Sequence, residues 1–167
     1  MQYRNFSNIG WKVSEIGLGC WAIGSEWGNV SAADAREVLK TSLDNGVNFF
    51  DTADVYGDGR SEKFVGELIK STSEKIFVAT KSGRRLNPHT PEGYNLNNIE
   101  GFIDRSLINL GVDCIDLLQL HCPPSEICPK KETYEMMDEI VKLGKIANYG
   151  VSVEKVSEAM EDRKSVV

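Results

Sequence analysis

Four side chains able to hold or move a proton follow closely on apolar stretches of the sequence. Asp51 comes directly after "VNFF", Lys81 ends "KIFVATK" and His121 ends "CIDLLQLH", while Tyr56 lies just beyond Asp51 in "DTADVYGDGR". Each has an ordinary reading when taken alone: a turn aspartate, a half-exposed aromatic, a solvated strand end, a satisfied histidine before two prolines. Together they are residue types suited to general acid–base chemistry, emerging from apolar segments at one rim. "GVNFFDTADVYGDGRSEKFVGELIK" concentrates the question, because a plain strand-to-helix turn has no need of two aspartates, a tyrosine and two glycines.

The elements that position these residues alternate along the chain. Strands are expected near residues 16–19, 47–51, 76–81, 115–120 and 146–151, each followed by a helical pattern. The helices read as "SAADAREVLKTSLDNG" with Ser31 as N-cap and Gly46 just past its end, then "SEKFVGELIK", "NNIEGFIDRSLINLG", "ETYEMMDEIVKLG" and "EKVSEAMEDR". In the third, Asn97 and Glu100 stand at capping-box spacing and Gly111 is the stop. The strands are nearly continuous apolar runs, which marks a parallel sheet covered on both faces. "YRNF" and "WKVS" flank a turn-like stretch and predict a hairpin that closes one end. The two long loops, residues 82–96 and 122–131, both follow strand C-termini, the end at which parallel α/β folds bind ligands.

Composition narrows the classes. The chain has 167 residues, 41% hydrophobic and 26% charged, with a net charge of -6. An acidic balance with scattered basic residues argues against nucleic acid as a partner. No stretch is long and apolar enough to read as a membrane span, so a cytoplasmic protein is expected. Cys20, Cys114, Cys122 and Cys128 lack CxxC pairing and read as free thiols. A zinc site built from His121, Cys122 and Cys128 would lack a second knuckle, and no metal is expected.

The chain resembles the aldo-keto reductase family. The likeness is carried in order by "GLGCWAIG", "GVNFFDTADVYGDGRSEKFVGELIK", "VATKSG", "SLINLGVDCIDLLQLHCP" and "GKIANYGVS", nearly the whole length. The resemblance implies a (β/α)8 barrel of TIM type that reduces aldehydes and ketones with NADPH, or with NADH, and without metal. It implies Tyr56 as proton donor, Lys81 and His121 as residues tuning it, and Asp51 as the partner of Lys81. Physical chemistry agrees with those roles. Hydride addition builds charge on a carbonyl oxygen, which must be protonated or hydrogen-bonded as it forms. A free phenol titrates at about 10, and a neighbouring ammonium favours the phenolate. An aspartate lets that ammonium stay charged in a partly desolvated mouth. Gly57 and Gly59 allow the sharp turn that returns the phenol over the sheet.

The resemblance also places Gly19, Cys20, Trp21, Asp51 and Ser152 at the nicotinamide and its ribose, with Ser152 at the carboxamide and Val153 where many members have asparagine. Trp21, Trp27, Tyr56 and His121 are expected to line the substrate pocket, with Arg84, Arg85 and His89 near its mouth. Five strand–helix units are legible where the barrel has eight. The chain is therefore expected to be a single domain, the N-terminal part of a longer reductase, and either to self-associate through the open side or to be poorly stable. In the family the last units hold the adenosine phosphates. The alternative is an inactive reductase-like fragment or a nicotinamide-binding regulatory module. A barrel enzyme acting on phosphorylated metabolites is a third class, with no support from any residue here.

Overall fold

The computed structural model describes residues 1–6, 9–24 and 28–165. An antiparallel hairpin comes first, β1 (Tyr3–Phe6) and β2 (Trp11–Ser14). A five-stranded sheet follows, made of β3 (Leu18–Gly19), β4 (Phe49–Asp51), β5 (Phe77–Ser82), β6 (Leu117–His121) and β7 (Tyr149–Ser152). All its pairings are parallel and run in sequence order, as adjacent strands joined by helical crossovers should. The helices are α1 (Ala32–Asp44), α2 (Arg60–Ser71), α3 (Leu96–Leu110), α4 (Lys131–Lys142) and α5 (Val156–Ser165). The architecture is five β/α units of TIM-barrel type behind an N-terminal hairpin.

The strands are short, and their two faces have separate tasks. Pairing in register puts Phe50, Val78, Leu118 and Leu120 on one face, where they join a core with Leu39, Val65, Ile99, Ile103, Met137 and Ile140 of the helices. Burying each such side chain contributes about 1.5–3 kcal/mol. The other face carries Phe77 at its lower end, stacked on Trp11 of the hairpin with ring centroids 4.5 Å apart. Asn48 fastens the hairpin there, accepting from the Ser14 N–H at 2.7 Å and donating to the Lys12 carbonyl at 2.9 Å. The hairpin thus covers the N-terminal end of the sheet and leaves the C-terminal rim for chemistry.

Helix ends follow local chemistry. Ser31 and Asp34 form a reciprocal capping box on α1, and Gly46, with φ +85, follows its C-cap Asn45. In α3 the expected Asn97–Glu100 box is replaced. Asn95 is the N-cap, its side chain accepting from the Asn98 N–H at 3.2 Å, so the helix begins before Asn97. Glu100 pairs with Lys145 at 2.8 Å instead. Where α2 crosses α3, Gly66 lies so close to the Leu110 carbonyl that a Cβ would stand 2.5 Å from its oxygen. Only glycine permits that approach without displacing a backbone.

Candidate active site

Strand alternation explains which residues share the rim. In a parallel sheet, paired residues and those two apart along a strand project from the same face. Gly19 pairs with Asp51, Asp51 with Ala79, Lys81 with Gln119 and His121 with Ser152. Gly19, Asp51, Lys81, His121 and Ser152 are therefore all in phase. Cys20 is one residue out of phase and has no exposed surface. It packs in the core, its carbonyl accepts from the Ser61 hydroxyl at 2.8 Å, and burial pushes its thiol up to about 12. Cys20, expected near the nicotinamide and its ribose, turns its side chain away from the rim and into the core. Its place is beneath the site.

Lys81, nearly buried, is the centre of the cluster. Its ammonium donates to Asp51 Oδ1 at 2.5 Å, to the Thr52 carbonyl at 2.9 Å and to the Tyr56 hydroxyl at 3.4 Å. Those three acceptors match the three donors of an ammonium. Tyr56 is returned to this point by a tight loop. Gly57 and Gly59 have φ of +58 and +87, and a Cβ on Gly57 would stand 2.2 Å from the Gly24 carbonyl oxygen. Asp58 holds the loop from outside through Arg85 and Arg105, at 2.8 and 2.7 Å. Below it, Ser61 receives a bond from Thr52 at 2.8 Å, and Glu62 accepts from Thr80 at 2.7 Å and Asn109 at 2.9 Å.

His121 stands edge-on to Tyr56, ring centroids 6.0 Å apart, with its Nδ1 buried and, among the described residues, without a hydrogen-bond partner. Burial, reinforced by Lys81, Arg84 and His89, pushes the imidazole down to about 4, so it is neutral near pH 7. Trp21 is 42% exposed beside Tyr56, centroids 6.3 Å apart. These rings, with Val55, Arg84, Cys122 and Glu154, line a cavity of about 440 Å³. Trp27 lies outside the described residues. Of the three basic loop residues, Arg84 reaches the cavity, Arg85 is bound to the tyrosine loop, and His89 is bonded to the Tyr94 hydroxyl at 2.8 Å.

Asp54 has a place in the site that its local sequence does not reveal. Its N–H donates to the Lys81 carbonyl at 3.2 Å, tying the tyrosine loop to the lysine strand. Its carboxyl is wholly buried, and among the described residues no side chain bonds to either oxygen, the Val55 N–H being the backbone donor beside it. Burial, then the charge of Glu62, raises it to about 7 against the opposing pull of Arg85 and Arg105. The available signal was a second aspartate set among small and apolar residues in "DTADV". Among the described residues, no group of three His, Cys, Asp or Glu side chains converges to hold a metal ion.

A parallel β/α sheet with its titratable cluster at the carboxyl rim is the arrangement of a β/α-barrel enzyme. The chain belongs to the aldo/keto reductase family, whose sequence model matches residues 15–167, and it is of oxidoreductase lineage. It is 37% identical over 160 residues to the aldo-keto reductase YhdN of Bacillus subtilis, covering 91% of this chain and 47% of that protein. The fold is similar to the holo form of aldo-keto reductase AKR11C1 from Bacillus halodurans, with a TM-score of 0.83 and 31% identity over 99% of this chain and 54% of that one. It is also similar to an aldo-keto reductase from Klebsiella pneumoniae in complex with NADPH, with a TM-score of 0.73 and 25% identity over 96% of this chain and 52% of that one. The chain spans about half the length of the curated relatives it matches.

Proposed function

We propose that the protein reduces an aldehyde or ketone to an alcohol, with Tyr56 as proton donor and NADPH, or NADH in its place, as cofactor. The observation that carries this reading is the Lys81 ammonium, held 2.5 Å from Asp51 and 3.4 Å from the Tyr56 hydroxyl. The residues at the rim fit the nicotinamide end of such a cofactor: Trp21 offers a partly exposed aromatic beside Tyr56, and Ser152 stands in register with His121. When bound, the dinucleotide supplies a hydride. Everything else is work for the chain's own side chains.

The carbonyl oxygen of the substrate is set between Tyr56 and His121. His121, neutral, can hydrogen-bond that oxygen and orient it without serving as the acid. Tyr56 delivers its proton as negative charge builds, and Lys81 stabilises the phenolate that remains. Asp51 keeps the charge of Lys81 compensated throughout. In the oxidative direction the same phenolate would accept the proton back. Positioned proton transfer of this kind contributes about 10²–10⁴-fold to a rate.

Cofactor titration by tryptophan fluorescence, together with NADPH consumption in the presence of a simple aldehyde, tests the reading. Tyr56→Phe should lower kcat by about that factor while cofactor affinity stays within about twofold. Loss of cofactor binding and turnover in equal measure would assign Tyr56 a structural role and overturn it.

A further inference from the structure

Two adjacent arginines leave β5 for different destinations. The chain turns at Gly83, with φ +110, against Tyr94, whose ring a Cβ there would approach to 2.8 Å. Arg85 reaches back, donating to the Asp54 carbonyl at 3.3 Å and pairing with Asp58 at 2.8 Å, and so anchors the tyrosine loop. Arg84 goes the other way, into the cavity wall shared with Tyr56 and His121. Its ion pair is with Glu154, in the stretch that follows β7, at 3.5 Å, with side chains 48% and 68% exposed. So long and exposed a pair contributes little net free energy, and another oxyanion can replace Glu154. Lys81, by contrast, is buried and held by Asp51 at 2.5 Å. Arg84 is the only cation among the described residues lining this cavity, opposite the apolar surfaces of Trp21 and Val55. Its charge is felt at His121, which also lines the cavity.

We propose that Arg84 is a specificity-determining residue, selecting carbonyl compounds that carry a carboxylate by exchanging Glu154 for the carboxylate of the substrate. A single guanidinium fork matches one planar carboxylate with two parallel N–H···O bonds. An aromatic or short aliphatic spacer against Trp21 and Val55 then sets the carbonyl between Tyr56 and His121. The carbonyl end of this assignment rests on the reductase reading. The carboxylate end stands on Arg84 and Glu154 alone.

The two ends are tested separately. Benzoate and its neutral counterpart benzamide are titrated into the protein, following the Trp21 indole N–H resonance, assigned with Trp21→Phe. Benzoate should bind about tenfold more tightly than benzamide, as a charge-assisted bidentate contact would give. Arg84→Met should abolish the preference, Arg84→Lys should keep part of it, and Glu154→Gln should increase it. Equal binding of the two probes, or a preference that survives Arg84→Met, overturns the proposal. In turnover, the KM for 4-carboxybenzaldehyde divided by that for 4-nitrobenzaldehyde should rise about tenfold in Arg84→Met. A constant ratio overturns the substrate assignment. A protein that binds benzoate through Arg84 yet reduces neither aldehyde bears out the carboxylate site and refutes the reductase reading.

Discussion

Replacing Asp54 by asparagine should make the protein more stable, and increasingly so as the pH rises. The Asp54 carboxyl is wholly buried, no side chain among the described residues bonds to its oxygens, and burial raises its titration from 3.8 to about 7. Its ionised form is then disfavoured in the folded chain by about 4 kcal/mol relative to the unfolded chain. The folded state holds this proton more tightly than the unfolded state. Stability from this group is therefore full below 3.8, falls as the pH rises from 3.8 to about 7, and is level above that. Asparagine keeps the shape and removes the titration. In urea unfolding, the stability of Asp54→Asn relative to wild type should increase by about 3 kcal/mol between about pH 5 and about pH 8. Taking this difference of differences cancels the titration of groups remote from Asp54. Parallel pH profiles for the two proteins would refute the reasoning, and would mean that Arg85 and Arg105 compensate the carboxylate fully.

Gly57→Ala should cost about 2–4 kcal/mol in urea unfolding, since φ is +58 and the new methyl meets the Gly24 carbonyl oxygen at 2.2 Å. Gly66→Ala offers a sharper contest. Helix propensity alone predicts a gain of about 1 kcal/mol, whereas the Leu110 carbonyl at 2.5 Å predicts a loss of about 1–3 kcal/mol. Thermal unfolding of the variant gives the sign. For His121, proton NMR of the imidazole should show titration at about 4, not near 6.5. Its linked stability is present above 6.5 and is lost as the pH falls from there toward 4. A midpoint above 6 would mean that its burial is not maintained in solution.

Much of the molecule is legible in local pattern. Apolar strand runs followed by helical periodicity dictate parallel strands in sequence order, because a crossover helix returns the chain beside the strand it left. The hairpin, the Ser31 cap and the Gly111 stop depend on neighbours within a few residues, which sequence displays directly. Even the gathering of Asp51, Lys81 and His121 follows from their places at strand C-termini, where a period of two puts them on one face. The same period, taken one residue further, turns Cys20 into the core, although it adjoins Gly19 at the rim. What sequence does not display is distance across the fold. Arg84 and Arg85 are chemically identical neighbours, and only the turn at Gly83 sends one to the cavity and the other to Asp58. Asp51 and Asp54 both stand in "DTAD", yet Asp51 neutralises Lys81 while Asp54 lies sealed beside Glu62 with no side-chain bond among the described residues. In the Lys81–Asp51 bond and the Arg84–Glu154 pair, charge and close approach are set by partners 30 and 70 places away, and such contacts came into being only when the sheet and its loops closed together.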